Sequence, residues 1–284
     1  MSKELLSSDW RLVYEELQVE QKKLRKNYST ILLLANHLVT HNSRALGQNV
    51  WEVYESIVLA SLDCSDYEIT TSALSKLSAR FPKSTRVLVL KGILLEAKGH
   101  SDEVLELYQE IKRNEPLNRE CRKRKITVHK SKGQNKMAIQ ELCEYLSLFI
   151  GDTEAWLELC DLYIIELDLY NAGFCIEELI LSNPLSYLNH LKYAEICYTK
   201  GEEYWDSAAK HYTKVLTLKP DSIRALFGVI LTFYAIMKMS RQNLQSKEKR
   251  MVDWAKCKLK VLYRNSGNET GCRMLENTIQ YFDK

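Results

Sequence analysis

Prolines stand at positions 82, 116, 184 and 220, so the gaps between them are 34, 68 and 36 residues. The middle gap is two steps of 34, and the last is one step lengthened by two residues. Where the series expects a proline at 150, the chain carries Ile150. Two residues beyond each mark stand Ser84, Asn118, Asp152, Ser186 and Ser222. A side-chain oxygen on such a residue accepts from the free N–H groups of a helix's first turn. Ser, Thr, Asp and Asn make up about a fifth of the chain. Five matches in five are therefore rarer by chance than roughly one in a thousand. Glycines give a third series, Gly99, Gly133 and Gly201, with Leu167 in the missing slot. Glycine at that place suits a left-handed turn that ends one helix before the next begins.

Helix, turn, helix and a trailing proline every 34 residues is the tetratricopeptide pattern. The spacing predicts an all-α chain, a tetratricopeptide-type right-handed α-solenoid of antiparallel helix pairs. Residues 1–50 read as N-terminal capping helices, spanning 9–26 (capped by Asp9) and 29–41. Five repeats follow over 51–222, at 51–84, 85–118, 119–152, 153–186 and 187–222, with two extra residues inside 201–207. The C-terminal part, 223–284, reads as helices over 222–237, 251–263 and 269–282, with a polar insertion at 238–250. In the repeat from Thr153, Trp156, Leu159, Cys160 and Tyr163 share one helix face, and Ala172, Ile176 and Leu179 make the inner face of the second helix. Ten glycines and four prolines in 284 residues suit long helices and short turns.

Composition excludes several classes. Hydrophobic residues at 45% and charged residues at 27% describe an ordinary folded chain. A net charge of +3 gives no global reason to expect nucleic acid. The first residues contain no apolar signal core, and the longest apolar run, 31–39, includes Asn36 and His37 and is too short to span a membrane. No secretory signal or transmembrane segment is expected. Eight cysteines occur without CxxC or CxxxC spacing, which points to core filler in a reducing compartment. His37 and His41, four apart, lack a third ligand nearby, so no metal is expected. No phosphate-binding, dinucleotide-binding or hydrolase motif is present, and no catalytic residue or cofactor is expected.

The strongest local charge feature is Arg122-Lys123-Arg124-Lys125, followed by His129, Lys130, Lys132 and Lys136. It has no interleaved aromatics and sits on a repeat helix, which argues against nucleic acid. A solvated helix face and a docking surface for an acidic protein segment or anionic headgroups both stay open. First helices line the groove of such a stack, where a partner segment can lie. The candidate protein-binding residues are therefore Arg122, Lys123, Arg124, Lys125, Thr127, Lys130, Leu157, Glu158, Asp161, Lys192, Glu195 and Tyr198. On these grounds alone, a tetratricopeptide adaptor in cytosol or nucleus is one reading.

Several segments carry a more specific resemblance. They are residues 122–126 (Arg-Lys-Arg-Lys-Ile), 149–156 (Phe-Ile-Gly-Asp-Thr-Glu-Ala-Trp), 174–179 through Asn183-Pro184, and 224–228 (Arg-Ala-Leu-Phe-Gly). Asp9-Trp10, Trp51, Tyr54 and Glu55 belong with them. In this order the chain resembles the subunit 2 family of the endoplasmic-reticulum membrane protein complex. The resemblance implies a non-catalytic scaffold at the cytoplasmic face of the endoplasmic reticulum, bound to the membrane only through partners. Those partners would be cytosolic segments of the membrane subunits and the subunit 8 or 9 paralogue. The complex so implied inserts tail-anchored and multipass proteins. Little of the last ~20 residues carries the resemblance.

Overall fold

The structure, a computed structural model, describes residues 9–240, 246–265, 267 and 269–282. All regular structure among these residues is helical. The chain divides into two compact units, 1–134 and 135–284.

The first unit contains α1 (Trp10–Lys22), α2 (Tyr28–Leu46), α3 (Val50–Asp63), α4 (Tyr67–Arg80), α5 (Thr85–Ala97), α6 (Ser101–Asn114) and α7 (Arg119–Ser131). Each packs on the next in sequence. The second contains α8 (Asn135–Leu148), α9 (Thr153–Ile165), α10 (Leu169–Ser182), α11 (Tyr187–Lys200), α12 (Trp205–Leu218), α13 (Ile223–Ser240), α14 (Ser246–Asn265) and α15 (Glu269–Phe282), again packed neighbour on neighbour. This is the all-α, tetratricopeptide-type architecture that the spacing predicts.

The caps explain where the helices begin. Asn118 accepts from Cys121 N at 3.0 Å, Asp152 from Ala155 N at 3.1 Å and Ser186 from Asn189 N at 3.4 Å. Ser84 makes no side-chain cap bond; its carbonyl accepts from Leu88 N at 3.0 Å instead. Asp66 and Asp168 cap the second helices α4 and α10 in the same way.

The turns explain where the first helices end. Gly99, Gly133, Leu167 and Gly201 have φ of 80°, 69°, 61° and 112°. Ser65, with φ 59°, extends the series one step back to the pair α3–α4, which has no glycine in that slot. After Gly201 a 3-10 turn, Glu202–Tyr204, takes up the two extra residues, so α12 starts at Trp205.

Other boundaries move. The expected helix over 29–41 kinks at Asn42 (φ −128°, ψ 18°) and continues to Leu46. The polar segment 238–250 is helical at both ends, because α13 runs to Ser240 and α14 starts at Ser246; residues 241–245 lie outside the described residues. Buried Val252, Ala255 and Leu259 anchor α14, and its first turn extends back through polar residues.

Small residues sit where the second helices meet their neighbours. Ala138, Ala172 and Ala208 are fully buried. Thr70 takes the same place in α4, its hydroxyl 2.7 Å from Ser61 Oγ and donating to Asp66 O at 2.7 Å. Burial of this polar group is tolerated because its hydrogen bonds are made. Tyr108, Ile111, Ile126, Leu142, Tyr145 and Ile176 are fully buried around these positions. Each such side chain contributes about 1.5–3 kcal/mol over leaving it in water. Trp156 and Tyr163, expected on the packed face of α9, are only half-buried.

Candidate protein-docking surface

The predicted residues fall into two groups, one in each unit. Arg122, Lys123, Arg124, Lys125, Thr127 and Lys130 belong to α7 of the first unit. Arg122 is buried and donates through Nε to Pro116 O at 2.6 Å. Lys125 is buried and donates to Gln109 Oε1 at 2.6 Å. His129 is buried too, 2.9 Å from Gln134 Oε1. Arg124 reaches Glu96 at 3.4 Å and Glu120 at 3.3 Å. Lys130 and Thr127 are exposed, and the Thr127 hydroxyl donates back to Lys123 O at 3.0 Å. The run is thus not a uniform basic surface. A charge reversal at Arg122 would test the fold before it tested docking.

In the second unit, Asp161 of α9 pairs with Lys192 of α11. Glu195 of α11 takes both arms of the Arg224 guanidinium from α13, at 3.0 and 2.7 Å. The first unit repeats this arrangement. Glu55 of α3 pairs with Arg86 of α5 at 2.8 Å, and Glu96 of α5 with Arg124 of α7. Successive first helices are therefore laced by ion pairs within each unit. Exposed pairs of this kind are worth about 0–1 kcal/mol each, so they set register more than stability. Leu157 is exposed beside them, and Glu158 is half-buried. Tyr198 is half-buried and stacks on Trp205, ring centroids 6.4 Å apart. Sequence reading picked both members of the Asp161/Lys192 pair, but only Arg124 and Glu195 of the others, and did not name Glu55, Arg86, Glu96 or Arg224 as site residues. Opposite charges 31 residues apart, as in Glu55/Arg86 and Asp161/Lys192, were the available signal.

The buried thiols of Cys121, Cys160 and Cys175 are held protonated. Burial pushes Cys121 and Cys160 up to about 11 and Cys175 up to about 12. A thiol held protonated in this way is poorly reactive. Among the described residues, no three His, Cys, Asp or Glu side chains are grouped to hold a metal ion. No helix among them is long and apolar enough to cross a membrane. What the first-helix faces offer is a patterned surface of paired charges, aromatic rings and an exposed leucine.

Comparison with known proteins follows the same lines. A family model described as the EMC2 TPR-like repeat domain matches residues 81–208. The chain is 34% identical over 285 residues to the Xenopus laevis protein named ER membrane protein complex subunit 2-B, covering 98% of this chain and 96% of that one. The chain belongs to the ER membrane protein complex subunit 2 family. Another member, from Dictyostelium discoideum, is 27% identical and covers 98% of this chain and 90% of its own length. The family's fold is shared more widely. The C-terminal part of a TPR repeat-containing protein from Cytophaga hutchinsonii superposes with a TM-score of 0.63 at 15% identity, covering 92% of this chain and 97% of that one.

Proposed function

We propose that this chain is a non-catalytic scaffold subunit of the endoplasmic-reticulum membrane protein complex. It docks at the cytoplasmic face through partners. There it binds cytosolic segments of the membrane subunits and a subunit 8 or 9 paralogue, and so supports insertion of tail-anchored and multipass proteins. The observation that carries this reading is similarity along nearly the whole chain to relatives named as subunit 2. The fold supports it, because a stack of helix pairs ordered by its own packing docks a partner without a large ordering cost. The tetratricopeptide faces, including Leu157, Glu158, Tyr198, Lys123 and Lys130, are the surfaces proposed for contact.

The test is isolation of the tagged chain from digitonin-solubilised membranes. Recovery of the membrane subunits in stoichiometric amounts is the expected result. Carbonate washing should strip the chain from membranes, since it attaches through partners. Recovery of the chain free of any membrane subunit would overturn the proposal in favour of a soluble adaptor.

A further inference from the structure

An open, largely apolar cleft of about 350 Å³ lies in the second unit, lined by side chains of α8, α9 and α10. Trp156 and Phe174 meet edge to face in it, ring centroids 6.1 Å apart. Cys143 Sγ lies 3.7 Å from Tyr163 Oη. Trp156 Nε1 donates to Ile150 O at 2.8 Å, so its polar atom is already satisfied and its ring offers apolar surface. In the cleft, Phe174 is 51% and Ile150 71% exposed, and Tyr170, one turn before Phe174 on α10, is 73% exposed.

The repeats themselves supply the control. At the register of Phe174 the other pairs carry Ser72, Glu106, Gln140 and Lys210. At that of Tyr170 they carry Glu68, Asp102, Lys136 and Asp206. At that of Ile150 they carry Pro82, Pro116, Pro184 and Pro220. The second helices α4, α6, α8 and α12 carry polar residues at two of these positions, and prolines stand at the third, so the repeat does not require an exposed apolar cluster here. Contiguous exposed apolar surface of this kind marks an interaction site.

Charge defines what can occupy it. No lysine or arginine occurs from 137 to 191, whereas the chain as a whole carries +3. Residues 135–182 contain ten Asp or Glu and one Lys. Glu144 of α8 is exposed on a helix that lines the cleft, and Glu177 of α10, also exposed, accepts from Tyr193 OH of α11 at 2.6 Å. Tyr170 carries one cation, Lys200 Nζ of α11 at 5.3 Å from its ring centroid. So acidic a surround opposes nucleic acid and anionic lipid and attracts a basic ligand.

We infer that this cleft docks a basic amphipathic helix of a protein partner. Two bulky apolar side chains, spaced i and i+4 on that helix, enter beside Phe174 and Ile150. Its flanking Lys and Arg residues face the carboxylates of α8 and α10. Cytosolic segments next to transmembrane helices are enriched in Lys and Arg. The source of the helix as such a segment rests on the scaffold reading above; the chemistry of the cleft does not.

A fluorescein-labelled Leu/Lys amphipathic helix, about five turns long, is the probe, and anisotropy is the readout. Saturable binding that weakens with added salt is expected. Phe174→Glu and Ile150→Asp should each weaken it by about tenfold, and Glu144→Lys should weaken it less. Leu117→Asp, on an exposed loop of the first unit, should leave it unchanged. A Leu/Glu helix of the same pattern should not bind. Circular dichroism of each variant checks the fold, and Ile150→Asp stands in should Phe174→Glu misfold. Equal binding by wild type and both cleft variants, or equal binding of the Leu/Glu helix, would overturn the inference. Probe binding intact in a chain that recovers no membrane subunits would sink the scaffold reading and leave the cleft standing.

Discussion

The ring of Tyr108, on α6, lies against Gly92, on α5, so closely that a Cβ at 92 would stand 2.7 Å from Cζ. Both residues are buried, and the Tyr108 hydroxyl donates to Glu96 one turn further along α5. Gly228 repeats the relation with Tyr212, at 2.6 Å from Cδ1. Gly92→Ala therefore forces the ring away from its hydrogen bond. Overpacking of this kind costs about 1–3 kcal/mol, which exceeds the gain of about 1 kcal/mol from alanine's helix preference. A lower urea midpoint for Gly92→Ala, rescued in part by Tyr108→Phe, is the expected result.

Leu167 holds φ 61° with its side chain 81% exposed. A leucine there bears the left-handed penalty of about 1–2 kcal/mol and recovers little of it by packing. Leu167→Gly should raise stability by about 0.5–1 kcal/mol, because the relief exceeds the extra freedom glycine gives the unfolded chain. Gly133→Ala, at φ 69°, should move stability in the opposite direction. Parallel urea titrations of the two variants check both signs.

His190 and His211 face each other with Nδ1 atoms 3.1 Å apart. His190 Nε2 lies 3.0 Å from Pro184 O, which can only accept, so that nitrogen carries the proton. Its Nδ1 is then the acceptor, and His211 Nδ1 donates to it. Burial first, and then the neighbouring His190, lower the pKa of His211 from 6.5, against a smaller raising effect of Glu177. Glu177 also accepts from Tyr193 OH at 2.6 Å, and the Tyr193 ring lies 4.5 Å from that of His211. The unfolded chain therefore binds the proton more readily than the folded one. The resulting stability is present above about pH 6.5 and is lost as pH falls below it. Urea midpoints should drop between about pH 7.5 and pH 5.5, and the drop should shrink in His211→Gln.

Cys64, Cys143 and Cys257 are exposed, whereas Cys121, Cys160, Cys175 and Cys197 are buried. Burial raises the pKa of each of the four. A maleimide pulse on native protein at neutral pH should label the exposed three and spare the buried four. Peptide mapping reads this out, and labelling of the four should require denaturant.

Much of this architecture was legible because the period of 34 repeats marks with a physical job. The caps Asn118, Asp152 and Ser186 accept where their position says they should. Leu167 adopts the conformation of the glycines whose slot it fills. Ser65 escaped notice because a serine in a left-handed turn carries no compositional marker. The direction of the basic run was not legible. Sequence shows charge but not direction, and α7 turns Arg122, Lys125 and His129 inward while leaving Lys130 outside. The acidic surround of the cleft was legible too, but as an absence: 55 consecutive residues, 137–191, without a lysine or arginine.

One core cluster of the first unit is built entirely from the first five helices. Its buried side chains run from Val13 to Leu94, and the partly buried residues packed against them run from Trp10 to Ile93. Contacts this local form without waiting for distant sequence. On the ribosome, the first five helices can therefore bury these side chains while the later helices are still being synthesised. Less sticky surface is then left open during translation, and each new helix that emerges meets a finished platform on which to pack.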